Sequence, residues 1–114
     1  MRSGADMLLE AWTSSDHWMG LFVQYQREVT PRRGTYARVR IPGGAWVIDD
    51  GMARAAAVRF SGFMTGDPIL GFFLADAPKG EMMFPFSFSD GEVRALVTLD
   101  DMLWITPSIE LRDA

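Results

Sequence analysis

The sequence predicts an all-β domain, an antiparallel β-sandwich or flattened barrel of about seven or eight strands with one short N-terminal helix. Three observations carry that expectation. Apolar and polar residues alternate with period two in several runs, most cleanly from Thr35 to Ile41. Clusters of Gly, Pro, Asp and Ser punctuate the chain at intervals of roughly 8 to 14 residues, which is the rhythm of short strands joined by tight turns. Only the segment before Thr13 spaces its apolar residues as a helix does. With 114 residues, the chain has room for a single domain, taken as 1–114.

Taken in order, Ser3 and Asp6 place a hydroxyl and a carboxylate where the first free amides of a helix need acceptors. Met7, Leu8, Ala11 and Trp12 then form the apolar stripe expected to face the core, with Glu10 on the wet side. Thr13, Ser14, Ser15 and Asp16 stop that helix. Trp18 to Gln26 is rich in aromatic and β-branched residues and reads as a strand. In Thr35 to Ile41, Ala37, Val39 and Ile41 are expected on the core face, and Tyr36, Arg38 and Arg40 on the solvent face. Pro42, Gly43 and Gly44 break this run, Ala45 to Ile48 resumes it, and Asp49, Asp50 and Gly51 are a strong turn signal. Arg54 to Phe60 alternates again.

Ile69 to Ala75 is apolar on both faces and suits a central strand. Phe84, Phe86 and Phe88 point one way in the next strand. Pro85 cannot donate to a ladder, which demotes that strand to an edge. Ser89, Asp90 and Gly91 read as a hairpin turn into a strand through Val93, Ala95, Val97 and Leu99, and Ile109 and Leu111 mark a last short strand.

Composition narrows the function. The chain is 48% hydrophobic and carries a net charge of −4, so it is apolar enough to fold and too acidic to bind phosphate backbones broadly; direct nucleic-acid binding is not expected. There is no cysteine and His17 is the only histidine, which leaves no thiolate nucleophile, no sulfur-based zinc site and no multi-histidine metal site, and no cofactor is expected. The longest uncharged stretch, His17 to Gln26, has ten residues, well short of the roughly 20 that span a bilayer, so no membrane partner is expected either. Asp6 and Glu10 interrupt any secretory signal, which points to synthesis in the cytoplasm.

Ser15, Asp16 and His17 have the residue types of a hydrolytic triad, but three adjacent side chains cannot take up its geometry; a helix-exit turn with an exposed His17 is the expectation. Asp49 with Asp50, and Asp100 with Asp101, lack calcium-loop spacing and read as solvated turn residues. Arg27, Arg32, Arg33, Arg38 and Arg40 fall within fourteen residues that hold one acid, Glu28, and form a candidate face for an acidic neighbouring subunit, a sulfated or sialylated glycan or a nucleic-acid surface, against the alternative of a solvated surface paired with carboxylates. Four Trp and eight Met are many for so small a domain. Trp46 and the Met82 to Phe88 edge, with Met82, Met83 and Pro85, are the candidate surplus, divided between intramolecular burial and a subunit contact.

Several motifs in order resemble a known family. They are A-D-M-L-L-E-A-W (Ala5 to Trp12), M-G-L-F-V (Met19 to Val23), E-V-T (Glu28 to Thr30), G-T-Y-A-R-V (Gly34 to Val39), the Ala55 to Phe60 strand, and Gly71 to Ala77 with Gly80 and Phe84. Over roughly residues 5 to 100 the chain resembles small phage proteins of the tail-fibre-like kind. It departs from them at Pro31, Arg32 and Arg33, where a glycine-rich turn is usual, and at Gly66 and Asp67, where Trp-Gly is usual. The resemblance implies a virion part and brings no catalytic residues. The expectation is therefore a non-enzymatic structural protein of a phage particle, located in the virion and associated with the tail. A capsid cement or decoration protein is the alternative, and a soluble glycan- or ligand-binding module the second. Expected partners are other phage structural proteins, tail or major capsid, and further copies of the chain in a homo-oligomer, a trimer before others.

Overall fold

A computed structural model describes residues 4–23, 27–82, 84–88 and 94–110. Within them lie one helix, α1 (Gly4–Thr13), and twelve short strands: β1 (His17–Val23), β2 (Arg27–Glu28), β3 (Pro31–Gly34), β4 (Val39–Ile41), β5 (Val47–Asp49), β6 (Met52–Arg54), β7 (Val58–Ser61), β8 (Phe63–Thr65), β9 (Gly71–Ala75), β10 (Phe84–Ser87), β11 (Met102–Ile105) and β12 (Ser108–Glu110). The chain is mostly β, every strand pairing is antiparallel, and the one helix is N-terminal, as the sequence predicts. The strands outnumber the expected seven or eight: β2, β3, β8 and β11 form where the sequence predicts none, and Arg54 to Phe60 is divided between β6 and β7, with Ala55 to Ala57 outside the ladders.

The main sheet is built on β1. Along one edge it pairs with β9 from Trp18↔Ala75 to Phe22↔Gly71, and β10 adds outside β9. Along the other edge two strands share it: β4 at the His17 end and β2 at the Val23 end. Leu21 lies in the gap between them. Its amide donates to the Tyr36 hydroxyl at 3.0 Å, and its carbonyl accepts from the Val29 amide, so no backbone group on that edge is stranded. Three smaller sheets complete the domain: β3 with β8, β7 with β11, and β5, β6 and β12 in the order β12-β6-β5.

Both faces of β9 are buried, because Phe72 and Leu74 join the main core while Phe73 and Ala75 pack with Phe22 on the opposite side. That is the environment its unbroken apolar sequence calls for. The Asp49, Asp50, Gly51 signal also forms as read: Asp50 has φ 53° and Gly51 φ 74°, so both central residues of the two-residue β5–β6 loop are left-handed, as a type I′ hairpin requires.

Three expectations are corrected. In α1 the core-facing residues are Ala5, Leu9 and Thr13, one every fourth position against the β5–β6 hairpin; Met7 and Leu8 are exposed. Asp6 reaches from the helix to accept the Gly51 amide, so its carboxylate ties α1 to the hairpin. In the Thr35 to Ile41 segment the faces are exchanged in part: Tyr36 is half-buried and the Arg38 side chain is only 2% exposed, while Ala37 is exposed. Finally, Ala95 to Leu99 forms no strand. Arg94 makes an isolated bridge to Ile69, Leu96 alone enters the core, and Asp101 accepts the Val97 and Thr98 amides in a turn. The Ser89 to Gly91 turn, Val93 and Leu111 lie outside the described residues.

Candidate functional site

The five candidate arginines do not act as one face. Arg38 is an internal residue: its guanidinium donates to both oxygens of Glu28, through Nε at 3.0 Å and Nη2 at 2.9 Å, to the Ala77 carbonyl at 3.0 Å, and to the Gly80 carbonyl at 2.5 Å. It also lies over the Phe73 ring, 4.8 Å from its centroid, and so clamps the Asp76–Gly80 turn over the second face of the main sheet. Arg27 pairs with Asp67, and Arg40 with Asp16 at 2.8 Å. Arg32 and Arg33 remain exposed on β3, with no ion pair among the described residues. The solvated, paired reading describes Arg27 and Arg40; Arg38 fits neither reading.

The apolar candidates divide in the same way. Trp46 is 7% exposed and packs against Trp12 with ring centroids 5.9 Å apart, so it is a core residue; its Nε1 has no hydrogen-bond partner among the described residues. Met82 is half-buried against Phe22, Phe73 and Ala75. Pro85 is exposed on β10, which lies at the edge of the main sheet as the proline requires, and Met83 lies outside the described residues.

Two concavities are built instead from residues far apart in the chain. The first is an apolar groove of about 370 Å³ between α1 and β10, lined by Leu8, Leu9, Trp12, Phe84, Phe86 and Ile109. Trp12 meets Phe84 edge-on, 5.8 Å between centroids and 89° between planes, and this contact joins helix to strand. The helical stripe carries part of its signal: of the four residues expected to face the core, Leu8 and Trp12 line the groove. The second is a cleft of about 490 Å³ where β10 meets β11 and β12. Phe72 and Phe86 stack at 5.2 Å in it, the Arg94 guanidinium lies 4.1 Å from the Phe88 centroid, and Trp104 stands at its side, 60% exposed.

No reaction centre is assembled from the adjacent Ser15, Asp16 and His17. The Asp16 carboxylate accepts the Gly43 amide and Arg40 Nε, and these bonds hold it below the ordinary carboxylate range. His17 is not exposed as expected. It is 5% exposed and lies 3.8 Å from Trp12 between ring centroids, with Nδ1 3.0 Å from the Ser15 carbonyl. Asp49 and Asp50 stay in the hairpin turn, and among the described residues no three His, Asp or Glu side chains are grouped to hold a metal ion. No family model, curated protein or solved structure matches the chain.

Proposed function

We propose that this chain is a non-enzymatic structural component of a phage particle, tail-associated, held in its assembly through the α1–β10 groove. The observation that carries the reading is the groove itself: an aromatic and aliphatic trough with Leu8 and Phe84 exposed along it, the kind of surface that protein contacts cover. The ordered motifs from Ala5 to Phe84 supply the virion context.

The contact is made by side chains rather than by strand addition. The Phe88 amide donates to the Leu70 carbonyl, so by strand alternation the even-numbered positions of β10 turn their amides toward β9. Position 85 therefore points its amide position outward, and proline removes a donor that an incoming strand would need.

Quantitative mass spectrometry of purified particles tests the proposal. The chain is expected at the low copy number of a tail ring or trimer. A high copy number coating the shell would favour the cement alternative, and absence from purified particles would remove both.

A further inference from the structure

The cleft beside Trp104 has a different chemistry from the groove, and its reading does not depend on the proposed function. Its volume of about 490 Å³ lies within the roughly 300 to 1,000 Å³ of small-molecule sites. Its lining combines the exposed Trp104 and the stacked Phe72–Phe86 pair with the hydroxyl-bearing Ser87, Thr106 and Ser108, and with Arg94 and Glu110.

We infer that this cleft is a saccharide-binding site that takes a pyranose ring against the Trp104 indole. A pyranose is amphipathic in the same sense as the cleft: its axial C–H groups make an apolar face that packs on an aromatic ring, and its hydroxyls both donate and accept. Ser and Thr hydroxyls, here Ser87, Thr106 and Ser108, match either role. Competing ligand classes fit less well. A wholly apolar ligand would bury the three hydroxyls without partners. A phosphate-bearing ligand would meet a chain of net charge −4.

Saturation-transfer difference NMR with the full chain and a panel of lactose, cellobiose, maltose and N,N′-diacetylchitobiose, alongside a glycan array, tests the assignment. At least one saccharide is expected to bind. Trp104→Ala should weaken that binding roughly tenfold or more, because loss of a central aromatic anchor removes most of the contact energy. The indole is exposed, so the variant keeps its fold, which circular dichroism checks. Val47→Ser, at an exposed β5 position outside the cleft, should leave saccharide binding unchanged. No binding on the array, binding that survives Trp104→Ala, or preferential uptake of adenosine monophosphate or a tryptophan-containing dipeptide offered in competition would each overturn the inference.

Discussion

Arg38 shows how one residue can organise two layers of the domain. Its guanidinium satisfies Glu28 bidentately and holds two carbonyls of the Asp76–Gly80 turn, while the Tyr36 hydroxyl donates to Glu28 Oε2 at 2.6 Å and accepts the Leu21 amide. Burial, with the Glu28 carboxylate beside it, pushes the Tyr36 hydroxyl far above its ordinary value and keeps it protonated as a donor. Lysine cannot reproduce the planar fork. Arg38→Lys should therefore destabilise the chain by about 2 to 3 kcal/mol, less than a wholly buried pair because Glu28 keeps some contact with water. Urea unfolding of Arg38→Lys, Glu28→Gln and the double variant should show strong non-additivity; simple addition would mean the two side chains act separately. His17 gives the second prediction at this scale. Burial outweighs the Ser15 carbonyl and the Asp76 and Asp16 carboxylates and holds the imidazole below its ordinary 6.5. Protonation is then easier in the unfolded chain, which binds more protons below pH 6.5, so stability falls as pH drops from 6.5 toward the lowered folded value. Asp16 and Asp101, both lowered from 3.8, add a separate loss only as the pH falls below 3.8. Urea midpoints from about pH 7.5 to 5 should decline for the natural chain and flatten in His17→Gln; equal slopes would show that His17 is not the group responsible.

Among the elements, β9 and β10 were legible because each carried a signal that allows one structural reading. An unbroken apolar run with turn residues at both ends has no place but a central strand, and a proline inside a strand has no place but an edge. Asp49, Asp50 and Gly51 were legible for the same reason, since few residues accept left-handed backbone. The Tyr36 and Arg38 positions were not. Alternating charge reads as a wet face unless the partner is known, and Glu28 lies ten residues away on β2, joined to β4 only through their shared neighbour β1. The α1 stripe was legible in part: Trp12 packs against the core as its spacing implies, but Met7, Leu8 and Ala11 are exposed, and Ala5, Leu9 and Thr13 are the residues buried. The Trp104 cleft could not be read at all, since β10, β11 and β12 supply its walls from separate sheets. At this scale Gly71 is the test of how β10 is held. A Cβ there would fall on the Phe86 carbonyl oxygen and 2.8 Å from a ring carbon of Phe22, and neither a paired backbone nor a packed ring can withdraw freely. Gly71→Ala should cost about 2 kcal/mol or more and accelerate hydrogen exchange at β10 before β1; unchanged exchange at β10 would show that the edge is not secured there.

For the whole molecule, shape and surface point the same way. A radius of gyration of 14.7 Å exceeds the roughly 13 Å of a compact chain of this length, and the extents are 49 × 26 × 23 Å. An elongated domain has more surface for its core, and here Met7, Leu8, Phe84 and Trp104 are left on it. Met7 and Leu8 project beside a groove of the same apolar chemistry, so one copy can seat its helix ridge in the trough of the next. Leu8 lines the trough itself, so ridge and trough are parts of one apolar patch that further copies of the chain can cover, a trimer being the proposed assembly. The full chain should therefore self-associate reversibly in sedimentation equilibrium. Leu8→Glu should return it to monomer, because a carboxylate buried in an apolar contact is strongly unfavourable, yet leave folding stability within about 0.5 kcal/mol because Leu8 is exposed in the single chain. Arg32→Glu combined with Arg33→Glu, on exposed β3, should leave both the fold and the self-association intact while impairing incorporation into particles through lost steering toward acidic neighbours. A natural chain that sediments as a monomer at every accessible concentration, or a Leu8→Glu chain that associates as well as the natural one, would place the assembly contact somewhere other than the groove.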